Sequence, residues 1–213
     1  YPLHIFGITG MTAYFGMIDI GNPQAGETVV VSGAAGATGS VAGQLAKIRG
    51  ARVIGIAGGP EKCRWLTEQA NFDEAIDYKN DDVAECLKRL CANEVDLFFD
   101  NVGGPILDDV LTNLSIGARV VLCGGISSGY TAHSLPPGPA NYMQLVIRRS
   151  TMQGFLVLDY LDRFPAAIAD MQGWVDQGLI HVEEDVVEGL EHAPDTLAGL
   201  FAGRNFGKQL LKL

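Results

Sequence analysis

Short apolar runs alternate along this 213-residue chain with segments in which apolar residues recur at helical spacing. The runs that predict buried strands are residues 29–31, 51–57, 75–76, 95–100 and 119–123. The segments with helical spacing are residues 40–47, 60–70, 81–92 and 103–114. Because strands that alternate with such helices are typical of βαβ units, we predict an α/β fold, a doubly wound and mainly parallel Rossmann sheet between two layers of helices.

The pattern is less regular at both ends of the chain. Near the start, residues 12–18 predict a short helix with Thr9 or Thr12 near its cap. Residues 127–139 are polar, lack periodicity and predict a long loop. Beyond that loop we predict helices at residues 141–148, 159–177 and 193–202, and strands at residues 151–157, 182–187 and 206–213.

The first predicted strand ends at a glycine-rich turn. Gly33, Gly36 and Gly39 follow the strand at intervals of three, in the pattern G-x-x-G-x-x-G rather than the usual G-x-G-x-x-G. Gly33 suits a tight turn, Gly36 the close approach of a pyrophosphate, and Gly39 the packing of a helix against the strand. Unpaired amides at the helix start would then face the phosphates. A turn without a ligand is the alternative, but the strand before it and the helix after it favour dinucleotide binding.

The end of the second predicted strand indicates which dinucleotide would bind. Sites for NAD place an Asp or Glu about 20 residues beyond the first glycine, where it binds the ribose 2′-hydroxyl. Residues 53–60 contain no acid, end in a turn with Gly58 and Gly59, and are followed by Lys62. We therefore predict NADP(H), with Lys62 as the first candidate to bind the 2′-phosphate. A solvated helix lysine is the alternative.

Two more polar residues follow predicted strands, at the edge where open α/β sheets bind ligands. Tyr78, after the third strand, could cover the 2′-phosphate or the adenine, unless it is a surface tyrosine. Asn101, after the fourth strand, could meet the ribose or the nicotinamide side of the crevice. A buried turn asparagine is the competing interpretation.

Composition narrows the possible functions. The formal net charge is -10 without any basic run, which argues against nucleic-acid binding. The cysteines are scattered, and Cys86 and Cys91 have no second pair to complete a zinc site, so we expect reduced thiols, a cytoplasmic protein and no metal. The histidines, His4 among them, are isolated, and we interpret each as structural or solvated. No tyrosine has a lysine four residues further on, which removes the catalytic pair of a short-chain dehydrogenase.

Characteristic motifs extend over the whole chain. They are residues 10–16 (GMTAYFG), 31–40 (VSGAAGATGS), 61–63 (EKC), 77–79 (DYK), 99–104 (FDNVGG), 123–127 (CGGIS) and 207–208 (GK). These motifs resemble the medium-chain dehydrogenase/reductases. The most similar branch is the zinc-independent leukotriene B4 12-hydroxydehydrogenase / prostaglandin reductase type, which includes curcumin reductase-like enzymes.

The resemblance implies an NADP-dependent oxidoreductase that reduces the C=C bond of α,β-unsaturated aldehydes and ketones. Hydride would pass from C4 of the nicotinamide to the β-carbon of a small enone or enal, and a proton would then reach the α-carbon. A quinone reductase of the same superfamily and a non-catalytic NADPH-binding module are the alternatives.

The resemblance also implies which residues bind the cofactor. Those at the pyrophosphate would be Gly36, Ala37, Thr38, Gly39 and Ser40. Those at the 2′-phosphate end and the ribose would be Gly59, Lys62, Tyr78 and Asn101. Those on the nicotinamide side would be Cys123, Gly124, Gly125, Ile126, Ser127, Phe155, Leu156, Val157 and Asn205.

Two departures from the family leave the catalytic residue unassigned. Some relatives are proposed to use a tyrosine as proton donor where this chain has Ile147. Relatives also have a separate N-terminal substrate domain, and this chain starts where that domain would end. We therefore expect residues 1–20 to be a linker and helix from that domain, residues 21–180 to be the NADP-binding Rossmann domain, and residues 181–213 to be a C-terminal return segment. A homodimer is plausible for the family.

Overall fold

The computed structural model describes residues 3–92, 94–125 and 137–213. The strands are β1 Thr28–Ser32, β2 Arg52–Ala57, β3 Glu74–Asp77, β4 Val95–Asp100, β5 Leu114–Leu122, β6 Thr151–Gly154, β7 Glu184–Glu188 and β8 Lys208–Lys212. The α-helices are α1 Ile8–Tyr14, α2 Gly39–Ile48, α3 Pro60–Glu68, α4 Val83–Leu90, α5 Gly104–Leu111, α6 Met143–Arg148, α7 Phe164–Asp176 and α8 Ala193–Phe201. A π-helix, Phe15–Gly21, continues α1, and 3₁₀ turns cover Val157–Arg163 and Leu190–His192.

Strands β1 to β6 form one sheet in the order β3-β2-β1-β4-β5-β6, and every neighbouring pair in it is parallel. This confirms the predicted doubly wound Rossmann sheet. The chain order reverses between β1 and β4, which is where such sheets open a crevice for ligands. Strands β7 and β8 form a separate parallel pair, and a bridge between Gly36 and Gly207 joins that pair to the loop after β1.

Both faces of the sheet are covered, which explains why the sequences of its strands are continuous apolar runs. All five residues of β1 are buried, since helices cover both faces of a parallel sheet. Side chains alternate between the faces, so Val29 and Val31 pack in one core cluster and Val30 in the other. The first cluster includes Phe15, which shows that the segment before β1 contributes to the core.

Several element boundaries differ from the predictions. Helix α5 ends at Leu111, and β5 begins at Leu114 instead of residue 119. The predicted long helix at residues 159–177 is a 3₁₀ turn followed by α7, because Pro165 in the first turn of α7 lacks an amide and disfavours a helical residue before it. Helix α1 begins at Ile8 after Gly7, and neither predicted threonine caps it.

Two further predictions concern the polar loop after β5 and membrane spans, since the sequence contains no apolar stretch long enough to cross a membrane. The predicted polar loop at residues 127–139 lies almost entirely outside the described residues. Within the described ranges, no helix has the length and apolarity needed to cross a membrane.

Candidate functional site

A cavity of about 930 Å³ opens at the carboxyl ends of β1, β2, β3 and β4. Its volume falls in the range typical of small-molecule sites. It lies at the point where the strand order reverses, as expected for an open parallel sheet. The predicted site residues that line it are Gly36, Ala37, Thr38, Gly39, Lys62, Tyr78, Asn101 and Asn205.

The loop after β1 has the geometry that its glycines predicted. Gly33 adopts a φ of +58°, in the left-handed region that favours glycine. A Cβ on Gly39 would lie 2.4 Å from the carbonyl oxygen of Gly33, so only glycine lets α2 begin this close to the turn. The glycines therefore bring the start of α2 directly above the end of β1.

The start of α2 offers free hydrogen-bond donors. None of the described residues accepts a hydrogen bond from the backbone amides of Ala37, Thr38 or Gly39, and the first turn of the helix contains no acidic side chain. The amide of Ser40, in contrast, donates to the carbonyl of Gly36 at 3.0 Å. Three free amides at the positive end of a ten-residue helix suit an anion such as a pyrophosphate.

Ser40 differs from the other residues of this loop in its position. Its side chain is almost fully buried, and its hydroxyl oxygen has no hydrogen-bond partner within the described part of the chain. Unlike the four residues before it, Ser40 does not line the cavity. Whether it contacts a bound phosphate stays a prediction.

The turn after β2 is organised by a carboxylate for which the sequence predicted no role, although it belongs to the motif at residues 77–79. Asp77, at the end of β3, accepts hydrogen bonds from the amides of Gly59 at 2.7 Å and Lys79 at 3.1 Å, and from Nδ2 of Asn80 at 2.6 Å. Burial opposes ionisation of this carboxyl group, but the hydrogen bonds hold its pKa below the ordinary value. Among the described residues, Asp77 is the only acid at the carboxyl end of β2 or β3, and it binds protein donors instead of lining the cavity.

The two residues predicted to contact the 2′-phosphate are brought together. Nζ of Lys62 donates to the carbonyl of Gly203 at 2.8 Å, and the Tyr78 hydroxyl would lie 3.8 Å from a Cβ on the same glycine. The Tyr78 ring covers Gly58, where a Cβ would come within 2.9 Å of it. Burial and the neighbouring Lys79 ammonium lower the pKa of Lys62. The ammonium groups of Lys62 and Lys79 therefore lie near each other beside the turn at Gly58 and Gly59, and β2 contains no acidic residue.

Asn101 fits both of its interpretations. Its Nδ2 donates to the carbonyl of Ser32 at 2.7 Å, and its amide donates to the Ser32 hydroxyl at 2.9 Å, so it is a partly buried turn residue. It also lines the cavity. The Ser32 hydroxyl in turn donates to Asp100 at 2.7 Å, and burial raises the pKa of that carboxyl group. This network fixes the ends of β1 and β4 on either side of the crevice.

Apart from Asn205, the described residues predicted on the nicotinamide side do not line this cavity. The amides of Cys123 and Gly124 both donate to the carbonyl of Asp100, which places this turn beside the end of β4. Burial raises the pKa of the Cys123 thiol to about 12, so the thiol is uncharged at neutral pH. Gly125 follows in the described range, whereas Ile126 and Ser127 lie outside the described residues.

The predicted segment after β6 is divided between the core and the surface. Phe155 packs on the core, where a Cβ on Gly16 would come within 2.6 Å of its ring, and Val157 is buried. Leu156 between them is 57% exposed. None of the three lines the described cavity.

Sequence reasoning missed the contribution of the C-terminal segment apart from Asn205. Leu200, Phe201 and Gly203 line the cavity, and the amide of Gly207 donates to the carbonyl of Ala35 at 2.9 Å. Three acids, Asp81, Asp82 and Asp109, also line it and were not predicted. Apart from the motif at residues 207–208, no local sequence signal marks these residues, because their role depends on how distant segments pack.

The fold and the cavity define a Rossmann-type α/β protein with its ligand crevice at the switch point of the sheet. The chain belongs to the zinc-binding dehydrogenase family, whose profile matches residues 37–173, within the medium-chain dehydrogenase/reductases that its motifs predicted. It is 52% identical to a putative NADP-dependent oxidoreductase, YfmJ, of Bacillus subtilis, over 99% of this chain and 63% of that protein. It is 43% identical to the NADPH-dependent curcumin reductase of Escherichia coli, over 100% of this chain and 63% of that protein.

A solved structure confirms the fold. The crystal structure of CurA from Vibrio vulnificus in complex with NADPH matches this chain with a TM-score of 0.93 at 49% identity, over 100% of this chain and 64% of that chain. The chain thus spans less than two thirds of the length of these relatives. No group of three His, Cys, Asp or Glu side chains in the described ranges is placed to hold a metal ion, and zinc independence stays a prediction.

Proposed function

We propose that this chain is the NADP(H)-binding part of an oxidoreductase that reduces the C=C bond of α,β-unsaturated aldehydes and ketones. The observation that carries the proposal is the cavity at the switch point, which is lined both by the three residues with free amides and by Lys62. A similar chain of known structure binds NADPH, and a relative reduces curcumin, a molecule with conjugated C=C and C=O bonds. Both support this cofactor and this substrate class.

Each region of the cavity has a proposed role. The amides of Ala37, Thr38 and Gly39 bind the pyrophosphate, because they are free donors at a helix start. Lys62 and Tyr78 bind the 2′-phosphate, and Lys62 gives up its contact with Gly203 to do so. This choice favours NADP(H), because no carboxylate faces the place of the ribose 2′-hydroxyl from β2.

The cofactor, when bound, supplies the hydride that goes to the β-carbon of the substrate. The chain contributes the orientation of the nicotinamide, through Asn101, Asn205 and the turn that begins at Cys123. The proton for the α-carbon has no proposed donor in this chain, since Ile147 stands where some relatives have a tyrosine. We expect it from the part of the protein beyond this chain, from the cofactor ribose or from water.

Binding is the first test of this proposal. The purified chain should bind NADPH more tightly than NADH, as measured by nicotinamide fluorescence or calorimetry. Absence of NADPH binding to the folded chain would refute the proposal.

Turnover is the second test, on the isolated chain and on the full-length protein. The full-length protein should reduce 2-alkenals and enones. The isolated chain should reduce them poorly, because an open crevice neither orients the substrate nor excludes water. Exclusive reduction of quinones would favour the quinone reductase alternative, and binding without any turnover would favour a non-catalytic module.

We also propose that the protein is cytoplasmic, which cell fractionation would test, and that it forms a homodimer, which light scattering would test.

A further inference from the structure

His4 is a buried side chain that contacts the phosphate loop from behind. It has no solvent-exposed surface, and its Nε2 lies 3.2 Å from the carbonyl oxygen of Ala37. A carbonyl oxygen can only accept, so Nε2 carries the proton and donates it. The His4 backbone is also fixed, because its own carbonyl accepts from the amides of Gly7 and Gly10 at 3.1 Å each, at the start of α1.

The carbonyl that His4 contacts belongs to the middle one of the three peptides that offer free amides. The two flanking peptides are oriented by α2 itself, since Ser40 donates to the carbonyl of Gly36 at 3.0 Å and Ala42 donates to that of Thr38 at 2.9 Å. No backbone amide of the described residues donates to the carbonyl of Ala37. The bond from His4 therefore replaces the helical hydrogen bond that this peptide lacks.

A planar trans peptide directs its carbonyl and its amide to opposite sides. Because the carbonyl of Ala37 is held towards His4 in the interior, the amide of Thr38 is directed the other way, towards the cavity that Thr38 lines. Resting on the NADP(H) site proposed above, we propose that His4 is a positioning residue of the pyrophosphate loop. It acts on the cofactor only through the Ala37–Thr38 peptide.

The surroundings of His4 indicate that it acts without charge. Its Nδ1 lies 3.7 Å from Oε1 of Glu184 and has no hydrogen-bond partner among the described residues, and Lys208 is a further charged group near the ring. Burial lowers the pKa of His4, against the opposing effects of the Ala37 carbonyl and Glu184. A neutral imidazole orients the loop but adds no attraction for an anion, so its effect on binding should not depend on salt.

The variant His4→Leu removes the donor, and His4→Gln keeps an N–H near the position of Nε2. We expect His4→Leu to weaken the binding of NADPH and NADH by the same factor, roughly 2- to 12-fold, since one neutral hydrogen bond is lost and both nucleotides share the pyrophosphate. Binding of 2′-AMP, which has the 2′-phosphate but no pyrophosphate, should not change. His4→Gln should restore dinucleotide affinity to within about twofold of the original chain, on the same reasoning.

Several results would overturn the proposal. These are unchanged NADPH affinity in His4→Leu, a matching loss of 2′-AMP affinity, or a His4→Gln variant as weak as His4→Leu. If His4→Leu does not fold, ¹⁵N NMR of the histidines in the unsubstituted chain decides, because a proton on Nδ1 rather than Nε2 would exclude the bond to Ala37. Failure of the cofactor assignment itself would look different, since the unsubstituted chain would then bind neither NADPH nor 2′-AMP.

Discussion

The substitution Lys62→Ala tests the assignment of the 2′-phosphate end most directly. It removes an ammonium that is partly buried in the cavity wall, contacts the carbonyl of Gly203, and has Lys79 as a second cation nearby. A hydrogen bond to a charged partner is worth about 1.5–3 kcal/mol. The affinity for NADPH should therefore fall roughly 12- to 150-fold, whereas NADH, which lacks the phosphate, should lose less than about twofold.

Parallel titrations with NADPH and NADH, followed by nicotinamide fluorescence at low and high salt, would measure this difference. Higher salt should reduce the NADPH advantage of the original chain and have little effect on the variant. Lys88→Ala is a matched control, because Lys88 is exposed and pairs with Glu85 on α4, outside the cavity. Equal losses of NADPH and NADH affinity in Lys62→Ala would refute the placement of the 2′-phosphate.

Three other changes have clear expected outcomes. Asp77→Asn should lower the free energy of unfolding by about 1–3 kcal/mol and therefore the melting temperature, because it weakens the hydrogen bond that residue 77 accepts from the amide of Gly59. It should also lower the affinity for NADPH, since that turn borders the cavity. Gly43→Ala should lower the free energy of unfolding, measured with denaturant, by about 1–3 kcal/mol, because the new Cβ would lie 2.0 Å from Cζ of Phe72. Burial lowers the pKa of His4 in the folded chain from 6.5, so at a given acidic pH the unfolded chain is protonated at this residue to a greater extent than the folded chain. The melting temperature should therefore fall as the pH drops below about 7. The fall should be smaller in His4→Gln, which lacks this titrating group.

The fold was predictable because its signals are local. An apolar strand such as β1 is buried on both faces in any parallel sheet, so its composition alone identifies it. Boundaries were less predictable where local preference and tertiary pairing disagree. Strand β5 begins at Leu114, before the apolar run, because Leu114 pairs with Val95 across an irregular register. Helix α1 begins at Ile8, so Thr9 and Thr12 lie inside it, and their hydroxyls donate to the carbonyls of His4 and Ile8 instead of capping the helix.

The candidate site was predictable to the extent that it follows strand ends. The glycine turn and Tyr78 come directly after strands, Lys62 lies in the first turn of the helix that follows β2, and the structure brings them into one cavity. The partners that hold these groups in place are distant in sequence. Lys62 contacts Gly203, 141 residues further on, and no pattern around either residue indicates that contact.

The phosphate loop shows how such distant contacts shape a binding site. Its glycines allow the turn, but they do not choose which way each peptide faces. The carbonyl of Ala35 is fixed by Gly207 near the end of the chain, and the carbonyl of Ala37 is fixed by His4 near its beginning. An unbound loop with three free amides would otherwise be free to rotate its peptides and satisfy those donors with its own carbonyls. Both flanking segments must therefore be docked before the loop is preorganised for an anion, which makes cofactor affinity a property of the whole fold rather than of the glycine motif.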